Sequence, residues 1–396
     1  ISLGSSRGTT KRNLCQLMKK KQRILAFHLL NDRSGSPKVL RQLLIDWSQQ
    51  ESLRVHLFTS RNEGGFLSGI KDIETHTSWY QYASNPWLRL ILYTSSQIIL
   101  FIRMLFYLKK NDIVYVNTVL PFGAALAGKI KSCRVIYHIH EVSIRPKPLK
   151  LLLLFVCQKT AKEIIYVSNF VKNTINIPNK SSYIVYNGLE NSFLDSILEK
   201  KYKPSVSNIL MVCSLKKYKG IFEFLDLAKS LPQYQFRLIL NAQDSEISAF
   251  FRGSQLPKNL KIFPVQKNLH PCYQWADLML NLSHSDEWIE TFGLTIIEGM
   301  AYSLPAIVPP TGGILEVIED GVSGFAVDSR DTIQISEKIE RIFEDSNLYH
   351  KMSQAAHGRL GSFTEENMLT QIREILGHTQ RQGLPLLKSF HNMEYM

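Results

Sequence analysis

Two glutamates eight positions apart, Glu290 and Glu298, bracket the segment ETFGLTIIE in this chain of 396 residues. Gly293 ends a loop and Leu294 opens an apolar helical run, so the N–H groups of that first turn suit a phosphate. Glu298 lies one turn deeper, within reach of sugar hydroxyls, and Glu290 sits on the loop facing a reacting centre. The same spacing fits two solvated carboxylates flanking a core helix. Spacing alone leaves both readings open.

The residues downstream narrow the choice. Pro305–Glu316 (PAIVPPTGGILE) reads as a strand, a Gly-Gly turn and a second helix start, followed by Asp320-Gly321 and Gly324-Phe325. In order, Glu290, Phe292, Gly293, Glu298, Leu304-Pro305, Gly312-Gly313, Glu316, Asp320-Gly321 and Gly324 follow a known signature. It resembles that of the retaining nucleotide-sugar glycosyltransferases of family 4, of the bacterial polysaccharide-biosynthesis type. An isolated pair of glutamates is weak; the ordered set is specific.

The resemblance implies the two-lobed GT-B fold and assigns roles along about residues 24–375. Glu290 and His140 become the catalytic candidates, with His140-Glu141 matching the family's His-acid pair beside the donor sugar. Gly35, in the Ser34-Gly35 turn of the first lobe, stands near the donor phosphates, where a glycine lets the backbone approach an anion. Lys219, before Gly220, contacts the donor diphosphate as a point cation for leaving-group charge. Phe292, Gly293, Leu294 and Glu298 complete the donor set, with Glu298 on the ribose. Ser214 belongs to that set by position but departs from the family, which carries Arg or Lys there; Lys216 or Lys217 would have to compensate. Val167–Phe170 and Asn187-Gly188 match structural positions of the first lobe.

These residues need elements to hold them. Short β-rich runs alternate with helical spacing from Arg23–Leu30 onward, through Arg54–Thr59, Ile113–Asn117, Val135–His140, Glu163–Ser168 and Tyr183–Tyr186. A second series starts at Asn208–Val212 and continues through Gln235–Leu240, Leu260–Phe263, Leu278–Leu282, Pro305–Val308 and Gly324–Val327. The expected fold class is α/β, two Rossmann-like doubly wound lobes facing each other across a cleft. The expected division is a basic, disordered extension over 1–22 and an acceptor-binding lobe over 23–195. A linker over 196–207, a nucleotide-sugar-binding lobe over 208–375 and a tail over 376–396, helical and crossing back to the first lobe, complete it.

Composition bounds the rest. Hydrophobic residues form 44% and charged residues 20% of the chain, which excludes disordered, collagen-like and disulfide-scaffold classes. The five cysteines show no metal-ligand or disulfide spacing, which suits a reducing compartment. The formal charge is +13, and residues 1–200 hold 28 Lys/Arg against 12 Asp/Glu, whereas the remainder is slightly acidic. A basic lobe beside a near-neutral one points to an anionic partner for the first lobe alone. Leu88–Leu108 is long enough to span a bilayer, but Arg89, Arg103 and Thr94-Ser95-Ser96 make it a buried or interfacial helix instead. No signal peptide is read at the N-terminus, so the expected location is cytoplasmic, peripheral on the inner face of the membrane.

No Asp-x-Asp is present, so neither a metal nor another cofactor is expected at the diphosphate. No G-x-x-x-x-G-K-[ST] or G-x-G-x-x-G is present, against an NTPase or dehydrogenase. The expected partners are a nucleotide-sugar donor, a glycan or lipid-linked glycan acceptor and an anionic membrane surface, not nucleic acid. The activity this implies is retaining transfer of a sugar in surface polysaccharide biosynthesis, lipopolysaccharide or capsule. A sugar-nucleotide epimerase of the same fold and a non-catalytic GT-B scaffold subunit are the alternatives; a phosphorylase would need a pyridoxal site.

Overall fold

The computed structural model describes residues 21–61, 64–199 and 207–377. The extension over 1–22 and the tail over 376–396 therefore lie almost wholly outside the described residues, as does most of the linker.

The first lobe runs β1 (Gln22–Phe27), α1 (Gly35–Ser48), β2 (Leu53–Ser60), β3 (Glu74–Ser78), α2 (Pro86–Tyr107), β4 (Ile113–Asn117), α3 (Phe122–Ile130), β5 (Arg134–Ile139), α4 (Lys147–Thr160), β6 (Glu163–Tyr166), α5 (Asn169–Thr174) and β7 (Ser181–Ile184). Its seven strands are parallel in the order β3-β2-β1-β4-β5-β6-β7. Both faces are covered, and β1 shows why the sequence demands it. Leu25 and Phe27 point into one core layer and Ile24 and Ala26 into the other, all fully buried. A continuous apolar run on a period-2 element needs apolar partners on both sides.

After the short α6 (Asn191–Leu194), the second lobe runs β8 (Asn208–Ser214), α7 (Ile221–Ser230), β9 (Gln235–Asn241), α8 (Asp244–Phe250), β10 (Leu260–Phe263), α9 (His270–Trp275), β11 (Leu278–Leu280), α10 (Leu294–Met300), β12 (Ala306–Val308) and β13 (Gly324–Ala326). The helices α11 (Thr332–Glu344), α12 (Ser346–Arg359) and α13 (Glu365–Leu376) close the described chain. The second sheet is also parallel, in the order β10-β9-β8-β11-β12-β13. In each lobe the strand order reverses next to the first strand, which opens a crevice at the carboxyl ends of the strands.

Three features depart from the sequence reading. The edge strand β3 was not anticipated, because ETHTS offers no apolar alternation to mark it. Helix α8 was missed as well. More consequential is α13, which falls inside the stretch 208–375 read as the second lobe. Its Met368, Leu369, Ile372 and Leu376 pack with Val39, Leu40, Leu43 and Trp47 in the first lobe's core. Arg373 Nε lies 3.1 Å from the Asp46 carboxylate, and Arg134 Nη1 donates to Leu376 O at 3.0 Å. The return to the first lobe therefore falls inside the stretch read as the second lobe, where the apolar stripe of α13 meets the apolar face of α1.

Helix α2 is capped by Asn85, whose side chain accepts from Trp87 N at 2.9 Å and Leu88 N at 3.1 Å, with Pro86 in the first turn. Tyr93, Ser96, Gln97, Leu100 and Met104 form its buried stripe at helical spacing. The opposite side is apolar too: Trp87, Leu88, Ile91, Ile98, Ile99, Ile102 and Phe106 are exposed, Trp87 by 77% and Phe106 by 87%. Helix α2 packs on α3 and α3 on α4, and α4 adds exposed Leu151, Leu152 and Phe155. The helix is thus neither wholly core nor amphipathic in the ordinary sense.

The position of α13 makes a prediction. Ile372→Ala should destabilise the protein by about 2–5 kcal/mol, the usual range for emptying a fully buried site. Hydrogen exchange should show protection lost in α1, although α1 lies more than 300 residues earlier in the chain. Loss confined to α11 and α12 would contradict the packing.

Candidate active site

The cleft between the carboxyl ends of the two sheets gathers most of the residues singled out in the sequence. The loop from Asn281 to Gly293 carries Glu290, and glycines shape its surroundings. Gly293 adopts φ 103° just before α10, and a side chain there would strike Ile314 at 2.9 Å. Gly312 and Gly313 lie so close to this loop that a Cβ would meet Glu290 O at 2.4 Å and Thr291 O at 1.9 Å. The Gly-Gly turn therefore lets one backbone segment rest directly on another.

Glu290 shares Oε1 between the Lys219 ammonium and the Ser283 hydroxyl, the latter at 2.7 Å. Burial pushes its carboxyl up, but Lys219, Ser283 and Asn281 together outweigh burial and hold it below the ordinary carboxylate range. Lys219 also lies 5.5 Å from the centre of the Trp288 ring, which stacks on Tyr218. Lys216 and Lys217 are exposed in the turn just before it.

Glu298 is 4% exposed, and both of its oxygens are engaged. Lys38, from α1 of the first lobe, donates to Oε1 at 2.6 Å, and the Tyr273 hydroxyl donates to Oε2 at 2.5 Å. Burial works against the Lys38 ammonium, yet Glu298 and Glu190 outweigh it and raise its pKa. Sequence reasoning missed Lys38, Tyr273 and Ser283. Nothing local marks them: Lys38 gains its partner only where the two lobes meet, and Tyr273 and Ser283 gain theirs from residues further along the second lobe.

The first lobe supplies the facing wall. His140 Nε2 meets Asn117 Oδ1 at 3.0 Å, Asn117 Nδ2 lies 3.1 Å from His28 Nδ1, and the His138 ring packs 4.1 Å from that of His140. Burial, with His138 and His28 beside it, holds His140 well below the ordinary histidine value, so it is neutral at pH 7. Glu141 caps the backbone, accepting from Val119 N at 2.9 Å and His140 N at 3.2 Å, and burial pushes its carboxyl up to about 7. Gly35 faces Leu294 across the cleft, where an added Cβ would come within 3.3 Å of the Leu294 side chain.

The lobes are stitched together beside Glu290. Thr291 Oγ1 donates to His140 O at 2.7 Å, and Ser168 Oγ donates to Thr291 O at 2.9 Å. Glu316 accepts from Asn169 N at 2.9 Å, Phe170 N at 2.7 Å and the Tyr186 hydroxyl at 2.9 Å. Asn169 and Phe170, read as structural from the sequence, thus serve as the first lobe's grip on the second.

Phe292 and the start of α10 depart from their expected use. The Phe292 ring is 3% exposed, held between Tyr186 and Phe363 in the core, so its side chain has no route to a donor. Helix α10 has only seven residues, so its dipole is weak, and the cation beside Glu290 is Lys219. Ser214 ends β8 beside Asn241 and brings no charge.

Residues 198–359 match the family described as "Glycosyl transferases group 1". That stretch takes in most of the second lobe. An N-acetyl-alpha-D-glucosaminyl L-malate synthase of Bacillus anthracis is 28% identical over 212 residues, which is 50% of this chain and 54% of that protein. The chain thus spans about half the length of that relative. A glycosyltransferase of Methanocaldococcus jannaschii is 23% identical over 337 residues, covering 77% of this chain and 90% of its own. Among solved structures, Anabaena HepE in complex with UDP and glucose superposes with a TM-score of 0.72 at 18% identity, over 90% of this chain and 100% of that one. The fold of this chain is GT-B, as the sequence resemblance implied.

The Lys219–Glu290 pair predicts a reversal in pH dependence. In the wild type the lowered Glu290 pKa contributes stability above the ordinary carboxylate value, lost as pH falls through the folded value. In Lys219→Met burial prevails, the pKa rises, and the variant loses stability as pH climbs through that raised value. The Tm gap between the two should widen from pH 4 to pH 7. A constant gap would show that the pair does not set the Glu290 charge.

Proposed function

We propose that this protein is a retaining glycosyltransferase that moves a sugar from a nucleoside-diphosphate donor to a lipid-linked glycan at an anionic membrane surface, in surface polysaccharide synthesis. The observation that carries the reading is the facing arrangement of Lys219, Glu290 and Glu298 with Gly35 and His140 across one cleft.

On this reading Lys219 turns from Glu290 toward the diphosphate and offsets the charge that builds on the leaving group. Glu298 exchanges Lys38 for the ribose hydroxyls, and Glu290 stands beside the donor sugar. Neutral His140, fixed through Asn117, donates or accepts a hydrogen bond at the sugar without adding charge. The acceptor hydroxyl attacks the face from which the diphosphate departs, and the leaving phosphate takes its proton. The anomeric configuration is retained. The reading needs no divalent metal at the diphosphate, since the neutralising charge is a lysine. The HepE structure, which holds UDP and glucose, supports a nucleotide-sugar donor.

The membrane part of the proposal rests on the outer layer formed by α2, α3 and α4. Aromatic and aliphatic side chains at Trp87, Ile91, Ile98, Ile102 and Phe106 stand in water beside Leu151, Leu152 and Phe155. Lys109, Lys110, Lys129 and Lys147 are exposed around them. Attraction to anionic headgroups is worth about 1 kcal/mol per basic residue near the surface. Three cations of the same stretch are otherwise employed: Arg134 binds Glu163 and the end of α13, Arg145 donates to Asp286 O at 3.2 Å, and Lys150 donates to Val142 O at 2.9 Å. The location that follows is the cytoplasmic face of the membrane.

Two measurements test the two halves. In a panel of UDP-, GDP- and ADP-sugars with Mg²⁺ and Mn²⁺ omitted, one donor should be turned over with retention at the anomeric carbon. Glu298→Gln should weaken its free nucleoside diphosphate about tenfold, the loss of one hydrogen bond to a charged group. Unchanged nucleotide affinity would remove Glu298 from the donor site. In flotation, binding to phosphatidylglycerol vesicles should be strong at low salt, weaken as salt screens it, and fall sharply in Ile98→Asp/Ile102→Asp. Equal partitioning to neutral vesicles, or none to either, would refute the membrane surface.

A further inference from the structure

Far from the cleft, at the outer edge of the first sheet, four donor atoms converge. His56 lies in β2, opposite Glu74 of β3 in the parallel register, and His76 stands two residues further along β3 on the same face. Tyr107, the last residue of α2, closes over them. His56 Nδ1 lies 3.2 Å from Glu74 Oε2 and 3.4 Å from His76 Nε2, and the Tyr107 hydroxyl is 3.1 Å from each imidazole nitrogen. Glu74 Oε2 and His76 Nε2 are 4.0 Å apart.

We propose that His56, Glu74 and His76, with the Tyr107 oxygen as fourth ligand, form a structural zinc(II) site that pins edge strand β3 to β2 and to the end of α2. Zinc bonds to nitrogen and oxygen are about 2.0–2.2 Å long, so neighbouring ligands of a tetrahedral ion sit about 3.3–3.6 Å apart. Four of the five separations lie within about 0.2 Å of that range, and the fifth closes with a small rotation of the half-exposed Glu74. Two imidazoles and a carboxylate make a donor set for zinc rather than for magnesium or calcium, which favour all-oxygen cages.

The surroundings orient these donors. Arg54 Nε donates to Glu74 Oε1 at 2.8 Å, which leaves Oε2 turned toward the histidines, an outer-shell arrangement of the kind that fixes metal ligands. Two more arginines stand close by, Arg23 5.2 Å from the centre of the Tyr107 ring and Arg103 5.3 Å from that of Phe58. The arginines themselves are engaged: Arg23 with Asp112 at 3.1 Å, Arg103 with Thr77 O at 2.7 Å. Their charge opposes loosely bound cations and leaves the coordinate bonds of a transition metal to supply the affinity. Among the described residues the five-residue β3 pairs with β2 alone, and it is polar throughout, so a metal staple answers a real weakness of the fold.

The test uses the full chain, first freed of metal. Equilibrium dialysis against micromolar Zn²⁺ should give one equivalent bound and a raised Tm, and Co²⁺ should give the intense visible absorption of a tetrahedral site. His76→Gln and Glu74→Gln should each weaken binding about tenfold or more, with far-UV circular dichroism unchanged. Glu74→Gln is the safer of the two for folding, because its side chain is half exposed. His284→Gln, at the separate His284–Glu223 contact in the second lobe, should leave binding unchanged. Absence of bound zinc in the wild type, an octahedral cobalt spectrum, or wild-type affinity in both edge-strand variants would overturn the assignment. Donor turnover is not the readout, so the result stands apart from that of the proposed transferase activity.

Discussion

The backbone at Thr291 is the constraint on which the cleft depends. Its carbonyl accepts from Ser168, its hydroxyl donates to the carbonyl of His140, and Gly313 presses against it with no room for a methyl group. Two lobes that fold around separate sheets therefore share this residue, adjacent to Glu290, among their points of contact. The Gly-Gly turn and Glu316 belong to the same joint, since the turn allows the approach and Glu316 caps the first turn of α5 from the opposite lobe. Residues that look like scattered signature positions in the sequence act as one mechanical unit.

Both carboxylates of the cleft are already neutralised, and the two lysines come from different places. Lys219 belongs to the same lobe as Glu290, so that pair is indifferent to how the lobes sit. Lys38 reaches Glu298 from the other lobe, so that pair exists only while the lobes are close. Breaking a buried pair by removing one partner is costly, about 3–5 kcal/mol, because a charge is left without compensation. A ligand that displaces Lys38 must therefore give Glu298 new donors and give the ammonium a new acceptor. On the proposed reading a nucleotide offers both at once, with hydroxyls for the carboxylate and phosphates for the lysine.

The strands with buried apolar runs were legible in the sequence, and so was the doubly wound order, because parallel strands covered on both faces must be continuous in apolar character. The polar strand β3 was not, since an edge strand carries no such pattern. The signature residues were found by order and spacing, yet their uses were not all the same. Gly293, Gly312 and Glu316 are positioned as a joint would require, whereas Phe292 is a core residue whose conspicuous place in the motif reflects packing between Tyr186 and Phe363. Lys38, and the convergence of His56, Glu74 and His76, come from contacts between segments far apart in the chain. No local periodicity encodes them.

The first sheet distributes its two faces unequally. One is covered by α1 and by α13, which returns from the far end of the chain to complete that layer. The other is covered by α2, α3 and α4, and nothing among the described residues covers those helices in turn. An apolar helix is explained by one buried stripe; α2 has a buried stripe and leaves seven large apolar side chains over. The chain leads from His140 at the end of β5 through a loop of half a dozen residues into α4, whose first turn Lys150 ties back to Val142 O. On the proposed reading, that short path matters. A surface holding the acceptor lipid against α2 and α4 would present its headgroup within one loop of His140, so the same layer that binds the membrane would set the height of the acceptor at the cleft.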